Sequence, residues 1–319
     1  MHRTCGSIRF TGADGAARRT VGNGSSRLSL IAGIKAEAAK SQCLGEPLEF
    51  APAMPEAIPI DDPADPRIAP YANIRERDLV GRERLFVAEG EVVLRVLVTR
   101  SRHEAHSIFL AEKRVAALTP LLASVPASVP IYVAPQAILD EIAGFHMHRG
   151  VLALGRRAAP PSAAHLLAAT SPRAIVLCLF GIANHDNVGG IFRNAAAFGA
   201  DAVIIDGSTC DPLYRKAIRV SVGGTLIVPF ARLAPDEDVI DLLGRHGFDA
   251  LALSPREQRR LSDVAEAHRL AILLGSEGAG LPDHILARAT TVAIPMAADF
   301  DSLNVATTSG IVLNHVRNQ

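Results

Sequence analysis

The chain has 319 residues, enough for about two domains, and its 49% hydrophobic and 21% charged residues are the balance of an ordinary globular protein. Lys plus Arg and Asp plus Glu each number 33, which excludes a global basic field, so any nucleic-acid contact must come from a local patch. The four cysteines, Cys5, Cys43, Cys178 and Cys210, form no Cys-x-x-Cys pair, which suits a reducing cytoplasm and argues against structural zinc, and no stretch approaches the roughly 20 apolar residues that span a bilayer.

Residues 1–57 are rich in Gly, Ser, Ala and Arg and poor in acids. They are expected to be a disordered extension, the product of a start codon placed too far upstream, or an Arg-rich transit peptide. From Ile58 to Ala69 three prolines among acidic residues predict an extended entry into a first domain, residues 58–157. Its elements alternate: strands at Leu85–Val87, Ser107–Leu110, Ile131–Val133 and Val151–Leu154, with helices at Glu91–Val98, Ala111–Leu122 and Pro135–Ala143. Residues 158–172, around Ala158-Ala159-Pro160-Pro161-Ser162, read as a linker with one short helix.

A second α/β domain is expected over 173–319. Strands are predicted at Ala174–Phe180, Ala202–Asp206, Leu226–Phe230, Ala250–Leu253, Ala271–Leu274 and Val292–Pro295, and a last helix over Val305–Arg317. After the first of these strands, Asn184-His185-Asp186-Asn187 reads as a turn and helix N-cap, and Gly199 as the residue that ends the helix. Arg193 is the single charged side chain between Val188 and Gly199. Its neighbour in the turn, His185, reads as a solvent-exposed histidine.

Two further strand-to-helix loops carry chemistry. Gly275-Ser276-Glu277-Gly278-Ala279-Gly280-Leu281-Pro282 is a glycine-rich turn holding one carboxylate, with Pro282 in the first turn of a helix. It lacks the Lys-Ser/Thr of a phosphate loop and the third glycine of a dinucleotide fingerprint, which disfavours a nucleotide-dependent oxidoreductase. Asp299-Phe300-Asp301-Ser302-Leu303-Asn304 leads into the last helix, with Asp301 or Ser302 able to cap it. In open α/β sheets ligands settle beyond the carboxyl ends of the strands, where all three loops lie.

Asn187-Val188-Gly189, Arg193-Asn194-Ala195, Gly275 to Leu281, and Ile294-Pro295-Met296 followed by Ser302-Leu303-Asn304-Val305 resemble the three ordered motifs of the SpoU/TrmH family of RNA ribose 2′-O-methyltransferases, in the SPOUT superfamily. The segment from Arg82 through Val87-Ala88-Glu89-Gly90-Glu91 to Gly150-Val151-Leu152 is similar to that family's substrate-binding domain, of ribosomal protein L30e-like fold. The resemblance implies a parallel sheet with a deep trefoil knot, S-adenosylmethionine held in the knot, and a homodimer in which the partner helps complete the site. It implies Arg193 at the ribose 2′-OH, with Asn187, Glu277, Ser302 and Asn304 shaping the site. Gly275, Ile294 and Leu303 then hold the cofactor through their backbone, with Met296 close by. Asn184-His185 replaces the family's Asp-Pro, and Ala306-Thr307-Thr308 a more typical Ser-Val-Ala.

Asp211 to Arg219 is the best local basic patch, and Arg215, Lys216 and Arg219 are expected to meet RNA phosphates, Arg215 and Arg219 from one helix face. His103-Glu104-Ala105-His106 and His146-Met147-His148 have the wrong spacing for a metal, so none is expected. The expected activity is methylation of a structured RNA, ribosomal rather than transfer RNA. The alternative is a catalytically silent RNA-binding or ribosome-assembly factor on the same knotted fold.

Overall fold

A computed structural model describes residues 56–72, 84–144, 146–147, 149–254, 257–297 and 302–319, all within the compact unit Pro52–Gln319. Most of the expected N-terminal extension, together with Arg82, His148, Asp299, Phe300 and Asp301, lies outside the described residues.

The first sheet runs β1 (Ala57–Pro59), β2 (Leu85–Glu89), β3 (Glu104–Ala111), β4 (Ile131–Ala134) and β5 (Val151–Arg156), in the order β1-β4-β3-β5-β2. Helices α1 (Glu91–Thr99), α2 (Glu112–Leu122) and α3 (Gln136–Ala143) alternate with them. Only the start of the Pro-rich entry is extended, as the edge strand β1 parallel to β4; from residue 63 it runs in turns to a 3-10 helix at Ala69–Tyr71. Edge pairing suits β1, because a proline nitrogen donates nothing to a ladder.

After α4 (Ala163–Ala168) the second sheet takes β6 (Ala174–Phe180), then α5 (His185–Phe198), β7 (Ala202–Ile205), α6 (Arg215–Val220), α7 (Gly224–Ile227) and β8 (Phe230–Arg232). It continues with α8 (Val239–Arg245), β9 (Asp249–Leu253), β10 (Arg269–Gly275), α9 (Asp283–Leu286), β11 (Thr290–Val292) and α10 (Val305–Arg317). The order is β11-β9-β10-β6-β7-β8, and every pairing is parallel. All seven residues of β6 are buried, as a parallel strand covered on both faces requires. Strand order reverses between β6 and β10, and the loops leaving these two strands meet there: a Cβ on Gly181 would stand 3.3 Å from Ser276 Cβ.

Two expected strands are displaced: Val292–Pro295 shares only Val292 with β11, whose pairing to β9 stops there, and Leu226–Phe230 shares only Phe230 with β8. Leu226 and Ile227 close the short helix α7, and the strand begins at Phe230. Gly224 lies so close to α5 that a Cβ would stand 2.7 Å from Phe192 O, and Thr225 bonds the Ser221 hydroxyl. The apolar run Leu226-Ile227-Val228 is buried on helices α1 and α5 instead of in the sheet, and a short apolar run has no periodicity that separates the two outcomes.

The two sheets are joined by α6, which packs on β2 as well as on α5. Among the described residues no helix is long and apolar enough to cross a membrane.

Candidate active site

Helix α5 begins as its sequence dictates: the Asn184 side chain accepts from the Asp186 amide at 2.8 Å, and Gly199 ends it at φ 66°. Its first turn therefore presents Asn187 at the carboxyl edge of the sheet, where it is buried. Asn187 Nδ2 donates to Glu277 Oε1 at 3.0 Å. Asn304 Nδ2 donates to Asn187 Oδ1 at 2.8 Å and to Glu277 Oε1 at 3.0 Å. Three loops far apart in sequence thus close one polar triangle.

Asn304 is held from both ends. Its Oδ1 accepts the amides of Ala306 at 3.0 Å and Thr307 at 3.2 Å, so Asn304 itself caps α10. This corrects the expected cap by Asp301 or Ser302; Ser302 lies exposed two residues upstream. The physical reason is reach: an N-cap side chain bonds the amides two and three residues on. Glu277 Oε1 takes both amide bonds, and Oε2 has no hydrogen bond among the described residues.

The positions expected to hold the cofactor lie on the loops that carry Glu277 and Asn304 and just beyond β11. A Cβ on Gly275 would stand 2.2 Å from Gly280 C, so only glycine lets the turn fold back on itself, and Ser276 and Gly280 bridge it. Gly278 and Gly280 have φ of 102° and 72° with nothing within 4 Å of a Cβ, leaving bare backbone exposed. Ile294 and Met296 are half-buried beyond β11, and Leu303 is one of the few large apolar side chains left exposed.

Arg193 makes no bond to the triangle. It is exposed and lines an open groove of about 520 Å³ between α5 and α10, with Asn194, Phe198, Thr307 and Ile311. The helices touch closely there: a Cβ on Gly190 would stand 2.7 Å from Ala306 Cβ. Asn194, quoted in the motif but given no role, donates to Ala306 O at 2.7 Å and Ser309 Oγ at 3.0 Å. Its signal was legible, since it lies seven residues after Asn187 and so on the same helix face.

His185 is not the solvent-exposed turn histidine expected. It is the first residue of α5, half-buried against Tyr214 with ring centroids 4.7 Å apart, and its Nε2 is buried. The basic residues of α6 are also engaged. Arg215 Nε donates to Glu89 Oε2 at 3.0 Å, Arg219 Nη1 lies 3.5 Å from the same oxygen, and Lys216 pairs with Asp186 at 2.7 Å. Glu89, at the end of β2, is 7% exposed, and nothing local in its sequence marked it as the buried anion that binds α6 to the first sheet.

The model of the SpoU rRNA methylase family matches residues 174–314. An uncharacterized tRNA/rRNA methyltransferase of Mycobacterium tuberculosis is 38% identical over 259 residues, 78% of this chain and 88% of that protein. The chain belongs to the SpoU family. It is thereby an RNA methyltransferase, and 2′-O-ribose transfer is the chemistry its motifs imply. A solved structure described as an RNA 2′-O ribose methyltransferase is 25% identical with a TM-score of 0.67, covering 82% of this chain and 99% of that one. An AdoMet-bound rRNA methyltransferase from Sinorhizobium meliloti has the same TM-score at 21% identity, covering 82% of this chain and 98% of that one. The SpoU match begins at β6, so the first sheet precedes the SpoU domain.

Proposed function

We propose that this SpoU protein transfers a methyl group to a ribose 2′-OH of a structured ribosomal RNA, as a homodimer using S-adenosylmethionine. The observation that carries this reading is the Asn187–Glu277–Asn304 triangle at the point where the strand order reverses. The site also fits the cofactor, since the bare backbone of Gly278 and Gly280 and the exposed Leu303 offer amide and apolar contacts to an adenosyl group. Gly275, Ile294 and Leu303 are the backbone positions that would hold it, with Met296 beside them.

When bound, the cofactor supplies a methyl sulfonium. The O2′–CH3 bond forms as the S–CH3 bond breaks, and the hydroxyl must lose its proton. Glu277 Oε2 is the acceptor the triangle offers: Asn187 and Asn304 hold Oε1, which leaves the second oxygen without a partner among the described residues and able to take the hydroxyl hydrogen. Arg193 positions the ribose or its phosphate; arginine is a donor that stays charged, which suits it to holding better than to proton removal. Its groove on α5 and α10, lined by Phe198 and by Ile311 at 38% exposure, is the face on which a second copy would complete the site. Ribosomal RNA is favoured by the family's description and by an extra domain ahead of the SpoU domain.

Methyl transfer from labelled S-adenosylmethionine to total RNA from a strain lacking the gene tests the reading. Label in one alkali-resistant dinucleotide of ribosomal RNA, lost in Arg193→Ala and Glu277→Gln, is expected. A folded protein that binds RNA but transfers no label to any fraction would instead be the silent assembly factor.

A further inference from the structure

We propose that the corner between β2 and α1 is an RNA-backbone docking surface, at which five arginines, four from three helices and one from the turn before β5, guide the substrate strand toward the SpoU site. The inference rests on the RNA-methyltransferase reading and adds where the RNA lies.

Three consecutive residues, Glu89, Gly90 and Glu91, gather the cluster. Glu89 takes Arg215 at 3.0 Å and Arg219 at 3.5 Å, both from α6. Glu91 takes Arg114 of α2 at 2.8 Å and Arg95 of α1 at 3.3 Å. The guanidinium of Arg149, just before β5, lies against Gly90, where a Cβ would stand 3.1 Å from its Nη1. Arg149 has no carboxylate partner among the described residues. Five cations against two carboxylates leave a local surplus in a chain whose total charge is zero.

A purely structural pairing does not need this surplus. Glu89 is buried, so two arginines on it are a reasonable neutralising set. Glu91, Arg95 and Arg114 are more open, with side chains 40%, 55% and 31% exposed, and exposed pairs contribute little to stability. Arg114 Nε is buried without a hydrogen-bond partner, and Val92, the residue after Glu91, is 53% exposed, the most exposed large apolar side chain described. Forked guanidinium donors beside an exposed apolar side chain fit phosphate oxygens with a ribose or base laid over the valine.

The corner is also placed to serve the site. Helix α6 holds Glu89 through Arg215 and Arg219 and holds the first turn of α5 through Lys216 and Asp186, next to Asn187. Six helical residues span roughly 9 Å, so one short helix links the corner to the first turn of α5.

The test neutralises Arg95, Arg114 and Arg149 together to Gln, sparing Arg215 and Arg219, on which buried Glu89 depends. Retention of labelled total ribosomal RNA on filters is measured from 50 to 300 mM KCl, beside methyl transfer at saturating RNA. About tenfold weaker binding at 100 mM salt is expected, with a salt slope smaller by about 2. Methyl transfer at saturating RNA is expected within about twofold of wild type, and Arg→Lys at the same positions should recover most of the affinity, since lysine keeps the phosphate charge. Unchanged affinity and slope overturn the corner, as does an equal loss from Arg245→Gln with Arg288→Gln, which removes charge on the far helix α8 and beyond. If the wild-type protein methylates no RNA, the enzymatic reading falls, while a binding loss confined to the corner variant still supports the docking surface.

Discussion

In the SpoU-domain sheet every pairing is parallel, whereas in the first sheet β5 runs antiparallel to both β2 and β3. Parallel strands send all their outgoing loops to one edge, so Asn187, Glu277 and Asn304 converge although 117 residues separate the outer two. A mixed sheet divides its loops between two ends. Its functional contribution therefore sits at one corner, Glu89-Gly90-Glu91, and at the seam with the SpoU domain. The polar groups differ accordingly. Those of the triangle bond one another and leave Glu277 Oε2 without a partner among the described residues, while Glu89 of the seam is buried and depends on the arginines of α6.

The largest effect that would break this contrast is at the seam. Arg215→Ala with Arg219→Ala leaves the buried Glu89 carboxylate uncompensated, and a loss of about 3–5 kcal/mol in denaturant unfolding is expected. Adding Glu89→Gln should restore most of it, and failure of that rescue would mean Glu89 is not the anchor. It follows that this double variant is a poor reporter of RNA contact, the role expected of those arginines, because folding and binding fall together.

At the triangle, Asn304→Ala removes the amide shared by Asn187 and Glu277. Single-turnover methyl transfer is expected to fall by about 100-fold or more, with about 1 kcal/mol of stability lost through the missing cap. A rate within fivefold of wild type would remove the triangle from the chemistry.

The seam also has a pH signature. His103 is 4% exposed, its Nδ1 accepts the Ala158 amide at 3.1 Å, and Phe86 packs edge-on to its ring. Burial, with Arg102 and Arg157 alongside and Asp211 opposing, pushes the imidazole down from 6.5 to about 4. A folded pKa below the unfolded one stabilises above pH 6.5 and is lost as pH falls toward 4, because the unfolded chain binds the proton more readily. Stability is therefore expected to drop by about 2 kcal/mol between pH 8 and pH 5 on this account, a slope that His103→Gln flattens.

The smallest effect sharpens the comparison by its size. Lys216 and Asp186 are both about half exposed, so Lys216→Ala should change stability by less than about 1 kcal/mol and methyl transfer by less than threefold. A larger loss of transfer at unchanged stability would make Lys216 an RNA contact.

Several elements were legible residue by residue. Helix α10 spans Val305–Arg317 as expected, and α5 runs between the Asn184 cap and Gly199, because caps and apolar period act within a few residues. The motif loops were legible too, as fragments: Asn187, Glu277 and Asn304 were each singled out, and the family resemblance ordered them. What the fragments could not show was which atoms meet, that Asn304 caps α10, and that Asn194 stitches the two helices.

By itself the sequence determined the α/β class, the strands of the parallel sheet apart from Leu226–Phe230 and Val292–Pro295, and the family to which the site belongs. Tertiary structure alone decided that Leu226 and Ile227 close a helix, that His185 lies against Tyr214, and that the basic face of α6 grips a glutamate 126 residues away. The reason is physical. Periodicity, capping and glycine turns are short-range and written locally, whereas the state of a charge depends on the dielectric and partners that only the folded chain brings to it.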